Sequence, residues 1–325
     1  ESAIIMSSNA PGFVHGSLST NRPVDIGVGT VEGQWVWGEL EQSDFFEPAL
    51  ADSTRYFTGI VLTYNPSFLP GLSLGGTRVF QQFVPEGGLP VEDYFLVFQG
   101  LFKESQVSDG QPDGTDARDQ LISIFGRWVF PESGLEAYIE WARTDHAANL
   151  QDFVLEPEHS RGYTLGFQKL TSFTADRAFG VRGEMTQLES AATFQLRPRP
   201  TYYEHSAVAQ GCTHKGQALG SWVGPGGNAQ NLGFDWYDGW GRASFQFRRQ
   251  VHDNDAFWEW APENNASFDD HNVSLDFGVD GLLFLGDFDL TGGISFTHEI
   301  NRYFYGPRVN NWNLQLGARW HPGPN

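Results

Sequence analysis

The densest chemistry in the chain lies between residues 201 and 228. Tyr202-Tyr203-Glu204-His205 is followed by Gln210-Gly211-Cys212-Thr213-His214-Lys215-Gly216-Gln217, then Gly220 and the turn-rich Gly224-Pro225-Gly226-Gly227-Asn228. Sugars are recognised by flat aromatic rings that stack on their C–H faces, and by amide, carboxylate and imidazole groups that meet hydroxyls able to donate and accept. This run supplies each of those types. Tyr203, Glu204, His205, His214, Lys215 and Gln217 are therefore the candidate glycan-binding residues, with Tyr203 as stacking platform and the others as partners for hydroxyls or carboxylates. The competing reading is an ordered loop in which Gly and Pro only set turns.

Other chemistries fit less well. Nucleophilic hydrolysis needs Ser beside His, or a carboxylate pair. His205-Ser206 and His159-Ser160 are adjacent, but no spacing marks either serine as a nucleophile. Glu136 and Glu140 share one face of a strand at about 13 Å by strand rise, too far apart for glycoside hydrolysis. No catalytic residue is assigned and an enzyme is not expected. Asp109, Asp113, Asp116 and Asp119, and the group His252, Asp253 and Asp255, offer hard ligands of the kind calcium takes, yet neither run closes a twelve-residue calcium loop with Glu. They read as solvated acidic loops, so no metal and no cofactor is expected. The chain has one cysteine, Cys212, which excludes an internal disulfide framework.

The elements that carry these residues follow from alternation. In Trp312-Asn313-Leu314-Gln315-Leu316-Gly317-Ala318-Arg319-Trp320 the bulky or apolar side chains fall on every second residue. Successive strand side chains point to opposite faces, so one face suits lipid and the other water. The same pattern sets Leu135, Ala137, Ile139 and Trp141 against Glu136, Tyr138 and Glu140, and Val273, Leu275, Phe277 and Val279 against Ser274, Asp276 and Gly278. Roughly thirteen strands of about membrane-crossing length are expected. They lie near 2–8, 26–40, 54–66, 70–80, 119–130, 134–144, 161–172, 177–187, 229–238, 240–250, 270–279, 283–299 and 310–320. Short turns such as Pro131-Glu132-Ser133-Gly134 and Asp238-Gly239 face the periplasm, while polar inserts near 81–118, 145–160, 189–228 and 251–268 face outward and carry function. The fold class is an all-β, antiparallel outer-membrane β-barrel with long extracellular loops. A soluble sandwich or propeller would also alternate, but its outward face would be polar.

Composition agrees. Aromatic residues make up 15% of the chain, glycine numbers 38, and no apolar run is long enough for a membrane-crossing helix. A formal net charge of −20 argues against nucleic acid, whose phosphates it repels. The chain starts at Glu1 without a charged, then apolar, leader, so its amino end reads as processed or missing.

Several segments resemble the capsule assembly Wzi family of outer-membrane proteins. They are Ile4-Ile5-Met6-Ser7-Ser8-Asn9-Ala10, the run from Gly33 to Leu40, Arg55 to Leu74 with its Phe68-Leu69-Pro70-Gly71-Leu72 turn, and Tyr203-Glu204-His205 continuing through Gly211 to Gly220. The resemblance implies a barrel of about eighteen strands with an amino-terminal periplasmic helical part. It also implies a lectin that holds capsular polysaccharide or exopolysaccharide at the surface of a Gram-negative cell. The start of this chain resembles the middle of a family member, so residues 1–325 are expected to form a single barrel domain lacking the helical part and first strands. Cys212 stands where the family pattern suggests an aromatic. The expected partners are the polysaccharide and outer-membrane lipid, not nucleic acid, with the protein a monomer. The alternative is a porin or sugar-selective channel whose lumen charges Arg127, Glu136, Glu140, Arg242, Arg248, Asp276 and Arg319 set selectivity.

Overall fold

The structure, a computed structural model, describes residues 3–43, 45, 54–85, 87–100, 118–144, 149–195, 197, 201–205, 208, 210–264 and 270–322. Its strands are β1 (His15–Ser19), β2 (Val24–Asp25), β3 (Gly29–Glu41), β4 (Thr54–Pro66), β5 (Leu72–Phe83), β6 (Arg118–Phe130), β7 (Leu135–Thr144), β8 (Arg161–Ser172), β9 (Ala178–Gln187), β10 (Thr213–His214), β11 (Gln217–Ala218), β12 (Asn228–Asp238), β13 (Gly241–His252), β14 (Asn272–Leu285), β15 (Phe288–Ile300) and β16 (Val309–Trp320). A 14-stranded sheet takes them in the order β1-β3-β4-β5-β6-β7-β8-β9-β12-β13-β14-β15-β16, with β2 beside β3, while β10 and β11 form a separate hairpin. Connections alternate between short turns and long inserts, as the distribution of turn residues predicts. Among the described residues no helix is long and apolar enough to cross a membrane.

Two expectations about strand limits fail. Residues 3–8 form no strand, and the first is β1. Ile4 and Ile5 are both buried, at 0% and 2% exposure, and the backbone donors of the segment serve no ladder: the Ile4 amide goes to the Glu140 carboxylate and the Ser7 amide to the Leu219 carbonyl. The break expected between residues 279 and 283 is also absent. β14 runs on to Leu285, with Gly281 paired opposite Gly292, and the chain reverses at Gly286, whose φ of 58° favours glycine.

The described residues fall into two compact units, the first taking residues 1–127, 139–164 and 188–226, the second 128–138, 165–187 and 227–325. In the second unit the register fixes the faces. Trp312, Leu314, Leu316 and Trp320 lie opposite Phe296, Ile294, Gly292 and Phe288. Those four β16 residues are 66%, 71%, 82% and 63% exposed. Phe296 packs on Trp312 at 4.6 Å and Phe247 on Phe277 at 5.1 Å, so the aromatic band continues across neighbouring strands. A contiguous apolar face of this size is a membrane surface, not a water-facing one. The opposite face carries Asn313 against Ser295, Gln315 against Gly293 and Arg319 against Asp289. The Pro131–Ser133 turn closes as its sequence suggests. Gly134 adopts φ 62° and its amide donates to the Pro131 carbonyl at 3.1 Å, and an added Cβ there would run into the Leu170 carbonyl.

In the first unit β3, β4 and β5 pair in register, with Gly38 opposite Phe57 and Phe57 opposite Gln81. That places Arg55, Phe57 and Gln81 on one face and Tyr56, Thr58 and Ile60 on the other.

Candidate functional site

The described residues of 201–227 gather around a two-residue hairpin. Thr213 pairs with Ala218 and His214 with Gln217, leaving Lys215-Gly216 as the loop. Both loop residues have positive φ, 52° and 79°, as a turn matching strand twist requires. Lys215 is held in this region by its surroundings: its amide donates to the Glu41 carbonyl at 3.0 Å and its ammonium lies 3.3 Å from the Glu41 carboxylate.

Tyr203 is the hub beneath that hairpin. It is 1% exposed; its hydroxyl donates to the Ile4 carbonyl at 2.6 Å and accepts from the Ser221 amide at 2.7 Å. Its carbonyl accepts from the Cys212 amide at 2.8 Å, and its ring meets that of buried Tyr202 edge-on at 5.3 Å. Burial pushes the Tyr203 phenol and the Cys212 thiol above their ordinary pKa values, so both stay protonated. The amino-terminal segment is stitched to the same motif. Ser7 donates its amide to the Leu219 carbonyl at 2.8 Å, Asn9 its side-chain amide to the Ala218 carbonyl at 2.9 Å, and Ile4 its amide to the Glu140 carboxylate at 2.8 Å. Glu140, expected only as a lumen charge, thus anchors backbone.

Arg55 fastens the insert to the strands. Its guanidinium, on β4, is fully buried and donates to the Gly211 carbonyl, to the Thr213 carbonyl at 2.7 Å and to Gln81 Oε1 at 3.0 Å. Gln81 in turn donates to Asp119 at 2.6 Å. Gln210 adds a reciprocal amide clamp, accepting from the Ser43 amide and donating to the Ser43 carbonyl, each at 2.8 Å. A fixed five-donor fork suits the collection of several carbonyls from one point.

The six sequence-predicted residues therefore divide. Tyr203 and His214 are buried, and His214 Nδ1 accepts the Glu41 amide at 3.0 Å, which requires the neutral ring on that side. Burial lowers its pKa, consistent with that role. His205 is half-buried, its Nδ1 accepting from the Val208 amide at 3.3 Å. Glu204, Lys215 and Gln217 are exposed. Sequence reasoning missed Arg55, Gln210 and Asn9, because nothing local distinguishes them from other polar residues.

On the polar face of the second unit most charges expected in the lumen meet partners. Arg248 pairs with Asp276 at 3.0 Å, Arg242 with Asp280, and Arg182 with Asp235. Glu136 accepts from Gln168 at 2.9 Å and Glu184 from Tyr138 at 2.6 Å. A trough of about 730 Å³ lies on this face, lined among others by Tyr237, Arg242, Gln246, Asp280, Asn313 and Gln315. Of the metal candidates, Asp109, Asp113 and Asp116 lie outside the described residues. Asp119 is buried beside Gln81, and Asp253 accepts the Ala256 amide at 3.3 Å at the start of a helix. Among the described residues no group of three or more His, Cys, Asp or Glu is placed to hold an ion.

An antiparallel sheet with one lipid-suited face, one polar face and long inserts defines an outer-membrane β-barrel protein. The profile of the capsule assembly protein Wzi family matches residues 1–302, and the chain belongs to that family. The fold is similar to that of Wzi from Escherichia coli, an outer-membrane protein involved in group 1 capsule assembly and described as a carbohydrate-binding β-barrel. The TM-score is 0.65 at 13% identity, over 98% of this chain and 62% of that one. The chain thus spans 62% of the length of that structure. BamA from Haemophilus ducreyi lacking POTRA domains 1–3 matches with a TM-score of 0.45 at 12% identity, over 94% of this chain and 62% of that one. No curated protein sequence matches.

Proposed function

We propose that this protein sits in the outer membrane of a Gram-negative bacterium and holds capsular polysaccharide or exopolysaccharide at the cell surface by non-covalent binding, without turnover. Family membership supports the setting, and the carbohydrate binding described for the Escherichia coli relative supports the ligand class. The observation that carries the reading is the pinned insert. Its backbone is tied down by Tyr203, Arg55 and Gln210, so the exposed Glu204, Lys215 and Gln217 stand on a preformed platform. Preorganised polar groups bind without a further ordering cost, which weak individual sugar contacts need. In this reading Glu204, Lys215 and Gln217 meet ligand, His205 adds its imidazole edge, and Tyr203 and His214 position them. The porin alternative draws less support, since Arg182, Arg242 and Arg248 are each paired with an acid and leave that stretch of wall with little net field.

The test compares cell-attached with shed polysaccharide in a strain lacking the gene, in the complemented strain, and in a strain carrying E204A, K215A and Q217A together. Severalfold loss of retention in the deletion, with synthesis unchanged, establishes the anchoring role, and a similar loss in the triple variant places the ligand on this platform. Unchanged retention in the deletion overturns the function.

A further inference from the structure

Long inserts of a barrel are expected to sit over its mouth, but part of one lies along the wall. The segment Val91–Phe98 forms a short 3₁₀ helix whose Leu96 and Val97 pack with Tyr56 and Phe80, and against Trp35, Trp37 and Ile60. The register places these strand residues together: Trp35 is opposite Ile60, Trp37 opposite Thr58, and Thr58 opposite Phe80. They share the face of Leu62 and Leu74, which are 51% and 43% exposed. Arg55, Gln81 and Asp119 occupy the other face, where the glycan platform is fastened. The segment is therefore a strap across the lipid-suited face, near the insert end of β3, β4 and β5.

That face is polar under the strap. Arg78, Gln82 and Gln120 are 7%, 5% and 2% exposed there, in positions that lipid would otherwise meet. Arg78 donates to the Val97 carbonyl at 3.2 Å, the Gly100 carbonyl at 2.8 Å and Gln120 Oε1 at 2.8 Å. Gln82 and Arg118 both donate to Asp93 of the strap, at 2.6 and 2.8 Å. Trp37 Nε1 donates to the Tyr94 carbonyl at 3.2 Å. Exposed arginine on a lipid face is unfavourable, and here its donors end on carbonyls of the strap and of Gly100 just beyond it and on Gln120 of β6. The exposed residues of the strap are mostly apolar: Val91, Tyr94, Phe95 and Phe98 are 73%, 42%, 50% and 60% exposed, with the Tyr94 ring also edge-on to Tyr56 at 5.5 Å, and Glu92 in its first turn is the one exposed charge, placed to reach the headgroup layer. Trp35 joins them, its ring 5.3 Å from Phe95 and 5.1 Å from Phe98. Aromatic rings on the barrel exterior at the end of the strands are the composition of an interfacial girdle.

We propose that the strap is a membrane-embedded anchor, with Val91, Tyr94, Phe95 and Phe98 inserted at the headgroup–acyl boundary of the outer leaflet while its inner side neutralises the polar patch around Arg78. The occupant is lipid because the exposed strap residues continue the apolar wall through Leu62 and Leu74. This assignment is independent of the glycan reading.

The test uses the whole protein in dioleoylphosphatidylcholine vesicles, with a nitroxide on F95C or F98C. L62C serves as the lipid-facing reference, K215C as the aqueous one, and unsubstituted protein as the control for buried Cys212. Collision with oxygen favoured over collision with a water-soluble nickel chelate at 95 and 98, in the sense seen at 62, is the expected result. Ready collision with the chelate, as at 215, overturns the proposal and puts the strap in water. Shielding from both reagents also overturns it, since protein would then cover the strap. A second variant, V91S/F95S/F98S, keeps the buried Asp93, Leu96 and Val97. It is expected to raise chelate access at a label on 94 severalfold, and an unchanged value counts against lipid burial.

Discussion

Replacing Arg55 by methionine keeps the unbranched stem and removes the guanidinium that gathers the insert. Three acceptors lose the charged donor, the Gly211 and Thr213 carbonyls and the Gln81 amide oxygen, and of these the Gly211 carbonyl keeps the Thr213 amide at 2.8 Å. Hydrogen bonds from a charged donor are each worth about 1.5 kcal/mol or somewhat more. The two carbonyl bonds therefore give roughly 3 kcal/mol. Of these bonds only that to Gln81 joins two wall strands, which also pair through their backbones, so the loss of the two carbonyl bonds falls on local opening of the insert and not on global unfolding. A chemical accident makes that opening measurable. Within residues 188–227 the basic residues are Arg197, Arg199 and Lys215, and the first two precede Pro198 and Pro200, so trypsin can cut only after Lys215. A two-residue hairpin does not offer the extended stretch a protease needs, and cleavage reports the open fraction. At about 1.4 kcal/mol per decade, R55M is expected to speed cleavage after Lys215 about 100-fold, normalised to a linear peptide of the same sequence. R55K, which keeps one charged donor, should fall between. Heat-modifiable migration of the folded barrel should be unchanged in both. An unaltered cleavage rate in folded R55M protein would refute the idea that Arg55 holds the insert down.

Three further perturbations act on the same motif. Y203F removes the hydroxyl shared by the Ile4 carbonyl and the Ser221 amide; each buried group left unpaired costs roughly 1–3 kcal/mol, so the cleavage rate should rise at least about tenfold. G220A places a Cβ against the Ile4 carbonyl and the Tyr203 hydroxyl, so the amino-terminal segment should lift away and the Ser7 amide, now bonded to Leu219, should lose its hydrogen-exchange protection. His214 provides a pH dependence. Its folded pKa lies below the unfolded value of 6.5, mainly through burial, so the unfolded state binds the extra proton first and the insert loses stability as pH falls from 6.5 through the folded pKa. Normalised cleavage should rise over that interval in the parent protein and be flatter in H214Q; an equal pH response in both would remove His214 from the account.

Most strands could be read along the chain because alternation is a local signal. β7, β9, β13 and β16 write their two faces into every second residue, and Pro131 to Gly134 and Asp238-Gly239 mark their turns. At Ile4 and Ser7 the reading failed because their amides bond the distant Glu140 carboxylate and Leu219 carbonyl and not a neighbouring strand. The site was legible only in part. The chemistry of the 201–217 run is visible, and Glu204, Lys215 and Gln217 are exposed, but Tyr203 and His214 turn inward.

The amino-acid sequence by itself determined the sheet, its lipid-suited face and the position of the inserts, because strand pleating makes each residue's face a matter of parity. Tertiary structure decided what each polar or aromatic insert residue does. The Tyr203 hydroxyl bonds a residue 199 positions away, Arg55 bonds carbonyls 156 and 158 positions on, and the strap's Asp93 is set by strands on either side of it in sequence. Whether a ring is a surface for ligand or a strut for backbone depends on which distant groups fold against it, and parity carries no information about that.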